Sequence, residues 1–143
     1  MKKILILFMA LLVLTGCNKE DKDNRKDEFN QRRTNYVSGI GTSTDNKVVI
    51  NYKNKDKEDC YYVFYIKGNS YDQKQIILHN NLESFNNAVN KYGPNTSYQL
   101  EKDTELYITE IYLRKNVIVR EGKVIDVIKN KYKDSKYKII YEK

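Results

Sequence analysis

The sequence is poor in the residues on which several classes of protein depend. Its 143 residues include two cysteines, one histidine, one proline, six glycines and no tryptophan. So little proline and glycine excludes a collagen-like or proline-rich chain. One histidine and two cysteines exclude zinc sites that are built from several imidazoles or thiolates. The sequence therefore predicts no metal site and no cofactor.

Residues for nucleophilic catalysis are also scarce. His79 is the single histidine, and no nucleophile motif lies near it in the sequence, so we expect it at a surface or sheet-edge position. Cys60 follows Glu58 and Asp59, whose negative charges would raise the pKa of a thiol. We therefore interpret Cys60 as a small buried residue of a strand.

Carboxylate pairs are the remaining route to an enzyme. Asp103 and Glu105 would share one face of a strand, whereas Glu105 and Glu110 would point to opposite faces. We interpret these acids as solvated charges at the start of a strand. The sequence therefore predicts that the protein is not an enzyme, and a carboxylate-dependent enzyme is the alternative.

The N-terminus carries the strongest signal in the chain. Lys2 and Lys3 precede eleven residues, 4–14, none of which is charged. As a helix these residues would span about 16 Å, roughly half the thickness of the hydrocarbon layer of a bilayer. That length is too short for a transmembrane helix and is typical of a signal peptide core.

The apolar segment ends in Leu14-Thr15-Gly16-Cys17 and is followed by a very polar stretch. This pattern resembles the lipobox of bacterial lipoproteins: an aliphatic residue, a small residue, Gly or Ala, and then Cys. The resemblance implies that the Cys17 thiol receives a diacylglyceryl group and that a peptidase cuts between Gly16 and Cys17. Several acyl chains would anchor the protein stably on the exported side of a cell membrane or outer membrane.

The polar stretch continues to residue 46 with few apolar residues and no apolar periodicity. We interpret residues 17–46 as a lipidated cysteine and a charged flexible tether, with a short helix at residues 27–35 as the alternative. Strand-like alternation begins at Lys47. The predicted organisation is a signal peptide over residues 1–16, this tether, and one small domain over residues 47–143.

The domain pattern predicts an antiparallel sheet with one helix. Residues 60–66 are apolar on both faces, which indicates a central strand, and residues 75–79 form the next strand. Apolar residues at helical spacing predict a helix over residues 82–92, capped by Asn80 and stopped by Gly93 and Pro94. Further strands are predicted at residues 106–113, 116–120, 124–128 and 137–141, with a turn at Glu121-Gly122. The predicted fold class is α+β, with six or seven strands.

Charge is distributed unevenly along the domain. Residues 114–143 hold ten Lys or Arg against four Asp or Glu, a balance of +6, while residues 45–113 have a balance of −2. A cluster of lysines is interleaved with tyrosines and could contact an anionic surface: Lys129, Lys131, Lys133, Lys136 and Lys138. A hairpin that keeps the domain soluble is the alternative interpretation.

These observations favour a membrane-anchored binding or interaction lipoprotein over an enzyme. The membrane would be contacted through lipid on Cys17, and the other partner would be an anionic lipid, a wall polymer or an envelope protein. We expect no nucleic acid partner, because an exported and lipid-anchored chain seldom meets nucleic acid. The alternative is a carboxylate-dependent envelope enzyme or enzyme accessory.

Overall fold

A computed structural model describes residues 22–41 and 45–143. The chain divides into two compact units, Met1–Tyr36 and Val37–Lys143. The predicted signal peptide, its cleavage site at Gly16 and the lipidated Cys17 lie outside the described residues.

Helix α1 covers residues 22–40, where we expected a solvated tether or a short helix. Its side chains support each other at a spacing of four residues: Gln31 donates to Asn35 at 3.0 Å, and Arg33 lies 5.3 Å from the centroid of the Phe29 ring. A helix of this kind has almost no apolar stripe, so the periodicity that predicts buried helices cannot detect it. Within the described residues, no helix is both long and apolar enough to cross a membrane.

Residues 45–143 form a six-stranded antiparallel sheet with the strand order β4-β5-β3-β2-β1-β6. This architecture confirms the predicted fold class, although the described residues contain three helices instead of one. The elements, in chain order, are β1 Lys47–Lys53, β2 Asp59–Lys67, β3 Ser70–Leu78, α2 Leu82–Tyr92, β4 Gln99–Asp103, β5 Ile108–Ile118, α3 Val124–Lys131 and β6 Lys138–Glu142.

Two helices cover one face of the sheet. Phe64 of β2 packs in a cluster with Ile128 of α3, and Cys60 packs in a second cluster with Tyr92 of α2. Both β2 residues point to this face because alternate strand residues share a side. Val49 and Val63 on the opposite face are also fully buried. The sheet thus has buried apolar side chains on both faces, as the pattern of residues 60–66 predicted for a central strand.

The segment after Gly122 corrects the sequence interpretation. Gly122 has φ 80° and does turn the chain, but residues 124–131 form helix α3 and not the predicted strand. Apolar residues fall at positions 124, 125, 127 and 128, which is a helical stripe as well as a dense apolar run. The stripe buries Val124 and Ile128 against the sheet.

The start of α2 also differs from the prediction. Asn81, and not Asn80, caps the helix by accepting from the Ser84 N–H at 2.9 Å. Asn80 is engaged elsewhere: its N–H donates to Glu58 at 3.1 Å, and its side chain donates to the Asp56 carbonyl at 3.1 Å. A contact that is distant in sequence therefore decides which asparagine caps the helix.

The predicted strands were also wrong in three places, the first being β3, which begins at Ser70 and not at residue 75. Residues 106–113 and 116–120 were expected as separate strands, whereas β5 runs continuously over Ile108–Ile118. Strand β4 was not predicted, because its five residues are mostly exposed and polar and so leave no clear alternation.

Candidate functional site

The lysine-rich end of the chain is built from α3, a turn and β6. Helix α3 ends with a hydrogen bond from the Tyr132 N–H to the Ile128 carbonyl at 3.2 Å. Asp134 then fixes the turn, because its carboxylate accepts from the Lys136 N–H at 3.0 Å and its carbonyl accepts from the Tyr137 N–H at 2.9 Å. The hairpin expected here is therefore a helix and a strand joined by a hydrogen-bonded turn.

Tyrosine rings in contact support this end of the domain. The ring centroids of Tyr52 and Tyr62 are 4.7 Å apart, those of Tyr62 and Tyr132 are 5.4 Å apart, and those of Tyr132 and Tyr137 are 5.0 Å apart. Such ring pairs each add about 0.5–1.5 kcal/mol beyond the area they bury. These rings join β1 and β2 to the end of α3 and the turn before β6, and they give the lysines a rigid base.

The five lysines of the predicted contact surface are not equivalent. Lys129 lies 3.2 Å from the Glu142 carboxylate, so its charge is partly neutralised. The others have no carboxylate partner within the described ranges. We call these four the basic surface: Lys131, Lys133, Lys136 and Lys138.

Apolar side chains are also exposed in the C-terminal segment. Val127 is 38% exposed and precedes Lys131 by one helical turn, which places both on the same side of α3. Ile139 and Ile140 follow Lys138 in the edge strand β6 and are 38% and 43% exposed. The C-terminal segment therefore exposes aliphatic groups as well as cations, with Ile139 and Ile140 on opposite faces of β6.

A polar cleft of about 310 Å³ lies between the chain before β4 and the end of β5. The Asn95 side chain accepts from the Ser97 N–H at 2.9 Å and shapes the turn at its rim. Arg114 and Lys115 contribute two cations to the lining, and no carboxylate belongs to it. Sequence reasoning missed this cleft, because β4 was not predicted and its residues meet only through the pairing of β4 with β5.

His79 is buried, not at the surface as expected. It is 2% exposed, and its Nε2 lies 2.8 Å from the Thr109 hydroxyl while its Nδ1 lies 3.4 Å from the Glu58 carboxylate. Hydroxyl, imidazole and carboxylate thus follow one another as in hydrolytic triads. Thr109 is fully buried, so the hydroxyl lies inside the protein. The network ties β3, β5 and the segment before β2 together.

The remaining candidate groups have structural surroundings. Cys60 is fully buried in β2, as predicted, and burial raises the pKa of its thiol to about 11. Asp103 accepts from the N–H groups of Glu105 and Leu106, both at 2.9 Å, and so shapes a turn. Within residues 22–41 and 45–143, no group of three or more His, Cys, Asp or Glu side chains could hold a metal ion.

Glu110 faces Lys74 across the sheet at 2.7 Å. Burial opposes the charge of Lys74, but the hydrogen bond and the charge of Glu110 outweigh it and hold the pKa of Lys74 above its usual value. Glu110 therefore neutralises a lysine that is only 8% exposed.

Comparison with known proteins bears on the N-terminus. The model of the prokaryotic membrane lipoprotein lipid attachment site matches residues 1–18. No curated protein and no solved structure matches the chain. The N-terminal segment is thus a bacterial lipoprotein signal, and the protein is attached to a membrane by lipid.

Proposed function

We propose that this lipid-anchored chain is a non-enzymatic binding module on the exported side of the membrane, and that its basic surface contacts anionic lipid headgroups. The observations that carry the proposal are four lysines without a carboxylate partner in the described residues and three exposed aliphatic side chains in the same C-terminal segment. A surface that combines basic and apolar groups is suited to the boundary between headgroups and acyl chains.

The lipid anchor makes such a contact effective even when it is weak. Each lysine near an anionic membrane contributes about 1 kcal/mol. Because the domain is already held at the bilayer, docking is an intramolecular event at a high effective concentration. A small gain per lysine is therefore enough to shift the domain from a free to a docked state.

The exposed aliphatic residues favour a lipid surface over a wall polymer. Val127, Ile139 and Ile140 would find no apolar partner in a charged polyol chain, whereas the acyl boundary can accept them. A lone cluster of lysines would not distinguish these partners. The combination with aliphatic side chains does.

The burial of the chemically capable side chains supports a binding role. Thr109, His79 and Cys60 are at most 2% exposed, and each is held within the sheet or against it. A substrate would have to open the core to reach them. Basic and aliphatic groups, by contrast, are accessible on the surface.

The test uses the mature lipidated protein in nanodiscs, with a spin label on the lipid headgroups. Backbone amides of residues 131–141 should broaden in discs that contain phosphatidylglycerol and much less in discs of phosphatidylcholine alone. Added salt should weaken the effect, because the screening length falls to about 10 Å at 0.1 M salt.

Matched variants separate this surface from net charge. The test variant changes all four lysines of the basic surface to glutamine. The control removes the same charge from four other exposed lysines: Lys55→Gln, Lys91→Gln, Lys102→Gln and Lys123→Gln. We expect broadening to be lost in the test variant and kept in the control. Equal broadening in both variants, or in both lipid compositions, would contradict the proposal.

A further inference from the structure

We propose that the cleft beside Arg114 is a binding site for a phosphate group, and we name it the Arg114 cleft. It is lined by Thr96, Ser97, Gln99, Arg114 and Lys115, among others. This inference does not rest on membrane docking by the basic surface, because the groups that would hold the phosphate lie on β5 and on the turn before β4.

Hydrogen-bond donors in the Arg114 cleft are available to a ligand. The Arg114 guanidinium and the hydroxyls of Thr96 and Ser97 make no hydrogen bond to other described residues. Lys115 donates to the Gln99 side chain at 2.8 Å, and its ammonium group lies 5.1 Å from the centroid of the Tyr112 ring. Lys115 is thus held in place, while Arg114 has its fork of donors free for an anion.

The electrostatics of the cleft also favour an anion. Its lining contains two cations and no carboxylate. Lys131 of α3 is close enough to Arg114 that the positive guanidinium, after burial, lowers the pKa of the Lys131 ammonium. The positive charges of Arg114 and Lys131 repel each other, and an anion bound at Arg114 would relieve that repulsion.

Phosphate fits this donor set better than a simple halide does. The planar guanidinium matches two phosphate oxygens in a bidentate pair, and hydroxyl groups can donate to a further oxygen. A volume of about 310 Å³ leaves room for a substituent on the phosphorus, as in a phosphate ester. The source is either a lipid headgroup or a free phosphate compound, and both share this chemistry.

Binding can be measured on the mature lipidated protein in maltoside micelles, which contain no phosphate. Inorganic phosphate is added at constant ionic strength while NMR follows the Arg114 side-chain N–H and the Ser97 amide. We expect saturable shifts at both groups. Arg114→Gln should weaken binding by at least about tenfold, since hydrogen bonds between charged groups are the strong ones. The phosphate affinity of Arg114→Lys should lie between those of the native protein and Arg114→Gln, because lysine keeps the positive charge but cannot form the bidentate pair of the guanidinium.

Arg120→Gln is the matched control, because Arg120 is an exposed arginine near the end of β5 that does not line the cleft. It should leave the phosphate affinity unchanged, and far-UV circular dichroism should show that both variants are folded. A second arm uses phosphatidylglycerol nanodiscs without added phosphate: a shift of Arg114 there assigns the ligand to a headgroup, and its absence assigns it to a soluble phosphate. Non-saturable shifts at every exposed arginine, or equal affinities of Arg114→Gln and Arg120→Gln, would overturn the proposal.

Discussion

Replacing Glu58 by glutamine tests the buried network that holds the start of β2 to α2 and β5. The Glu58 side chain is 3% exposed. Its carboxylate accepts from the Asn54 side chain at 2.9 Å and from the Asn80 N–H at 3.1 Å, and it lies 3.4 Å from His79 Nδ1. A glutamine of the same shape keeps one acceptor and turns an N–H₂ group towards a donor.

The expected loss follows from these contacts. A hydrogen bond to a charged group contributes about 1.5–3 kcal/mol, and a buried donor without a partner costs about 1–3 kcal/mol. Glu58→Gln exchanges a charged acceptor for a neutral one and leaves one donor poorly matched. We therefore expect unfolding at pH 7 to become easier by about 3 kcal/mol, which lowers the Tm of a domain of this size by roughly 15 °C.

The effect should depend on pH with a defined sign. Burial opposes the charged form of Glu58, but hydrogen bonds from Asn54, Ser84 and Asn80 outweigh it and hold its pKa below the usual value. A carboxyl group whose folded pKa is lowered stabilises the protein above its unfolded pKa, near 4.3, and loses that contribution as the pH falls through the folded pKa. The stability gap between native protein and variant should thus narrow as the pH falls below about 5.

Urea denaturation followed by circular dichroism across pH 3–7 measures this gap. Glu101→Gln is the control, since Glu101 is exposed on β4 and pairs in register with Glu110, another acid. Removing it should change stability by less than about 0.5 kcal/mol. A Glu58→Gln protein as stable as this control at pH 7, or a gap that widens as the pH falls from 5 to 3, would refute the role assigned to Glu58.

Three further changes probe the packing. Glu110→Gln leaves the buried ammonium of Lys74 without its carboxylate and should destabilise the protein by about 3 kcal/mol in urea denaturation. Lys67→Gln, at the exposed pair with Asp72, should cost less than about 1 kcal/mol. Equal losses of stability in the two variants would contradict the difference in burial between the two ion pairs. Ile128→Ala should cost about 2–5 kcal/mol because Ile128 is 1% exposed, and Val127→Ala should cost under about 1 kcal/mol. If thermal unfolding showed the larger loss of stability in Val127→Ala, helix α3 would be contradicted. Cys60, whose pKa is raised to about 11, should react with a thiol reagent at pH 8 only as fast as the protein unfolds. Rapid labelling of the native protein would show that the thiol is accessible and would contradict its burial.

Local patterns predicted the buried centre of the domain well. The residues of β2 are apolar on both faces, and the structure places this strand between β1 and β3. The apolar stripe of α2 is strong enough to give both of its ends, although its capping residue is one position later than expected. Where many side chains of one segment are buried, apolar residues recur in the sequence at the period of the strand or helix, and the element can be predicted.

Features that depend on distant residues could not be predicted in this way. His79 is buried because Thr109 and Glu58 surround it, and these residues are far from it along the chain. Strand β4 is a polar edge that exists through its pairing with β5, and without β4 the Arg114 cleft has no second wall. Helix α3 has an apolar run that fits a strand or a helix, and only packing against Phe64 and Tyr71 selects the helix.

Docking of the domain on the membrane depends first on a lipid at Cys17, because only an anchored domain gains from weak contacts with the membrane. Intact-mass analysis of the protein purified from native membranes tests this directly, with Cys17→Ala as the control. We expect a chain that begins at Cys17 and carries a diacylglyceryl group, and a control that keeps residues 1–16. An unmodified Cys17, or native protein that retains residues 1–16, would contradict the account.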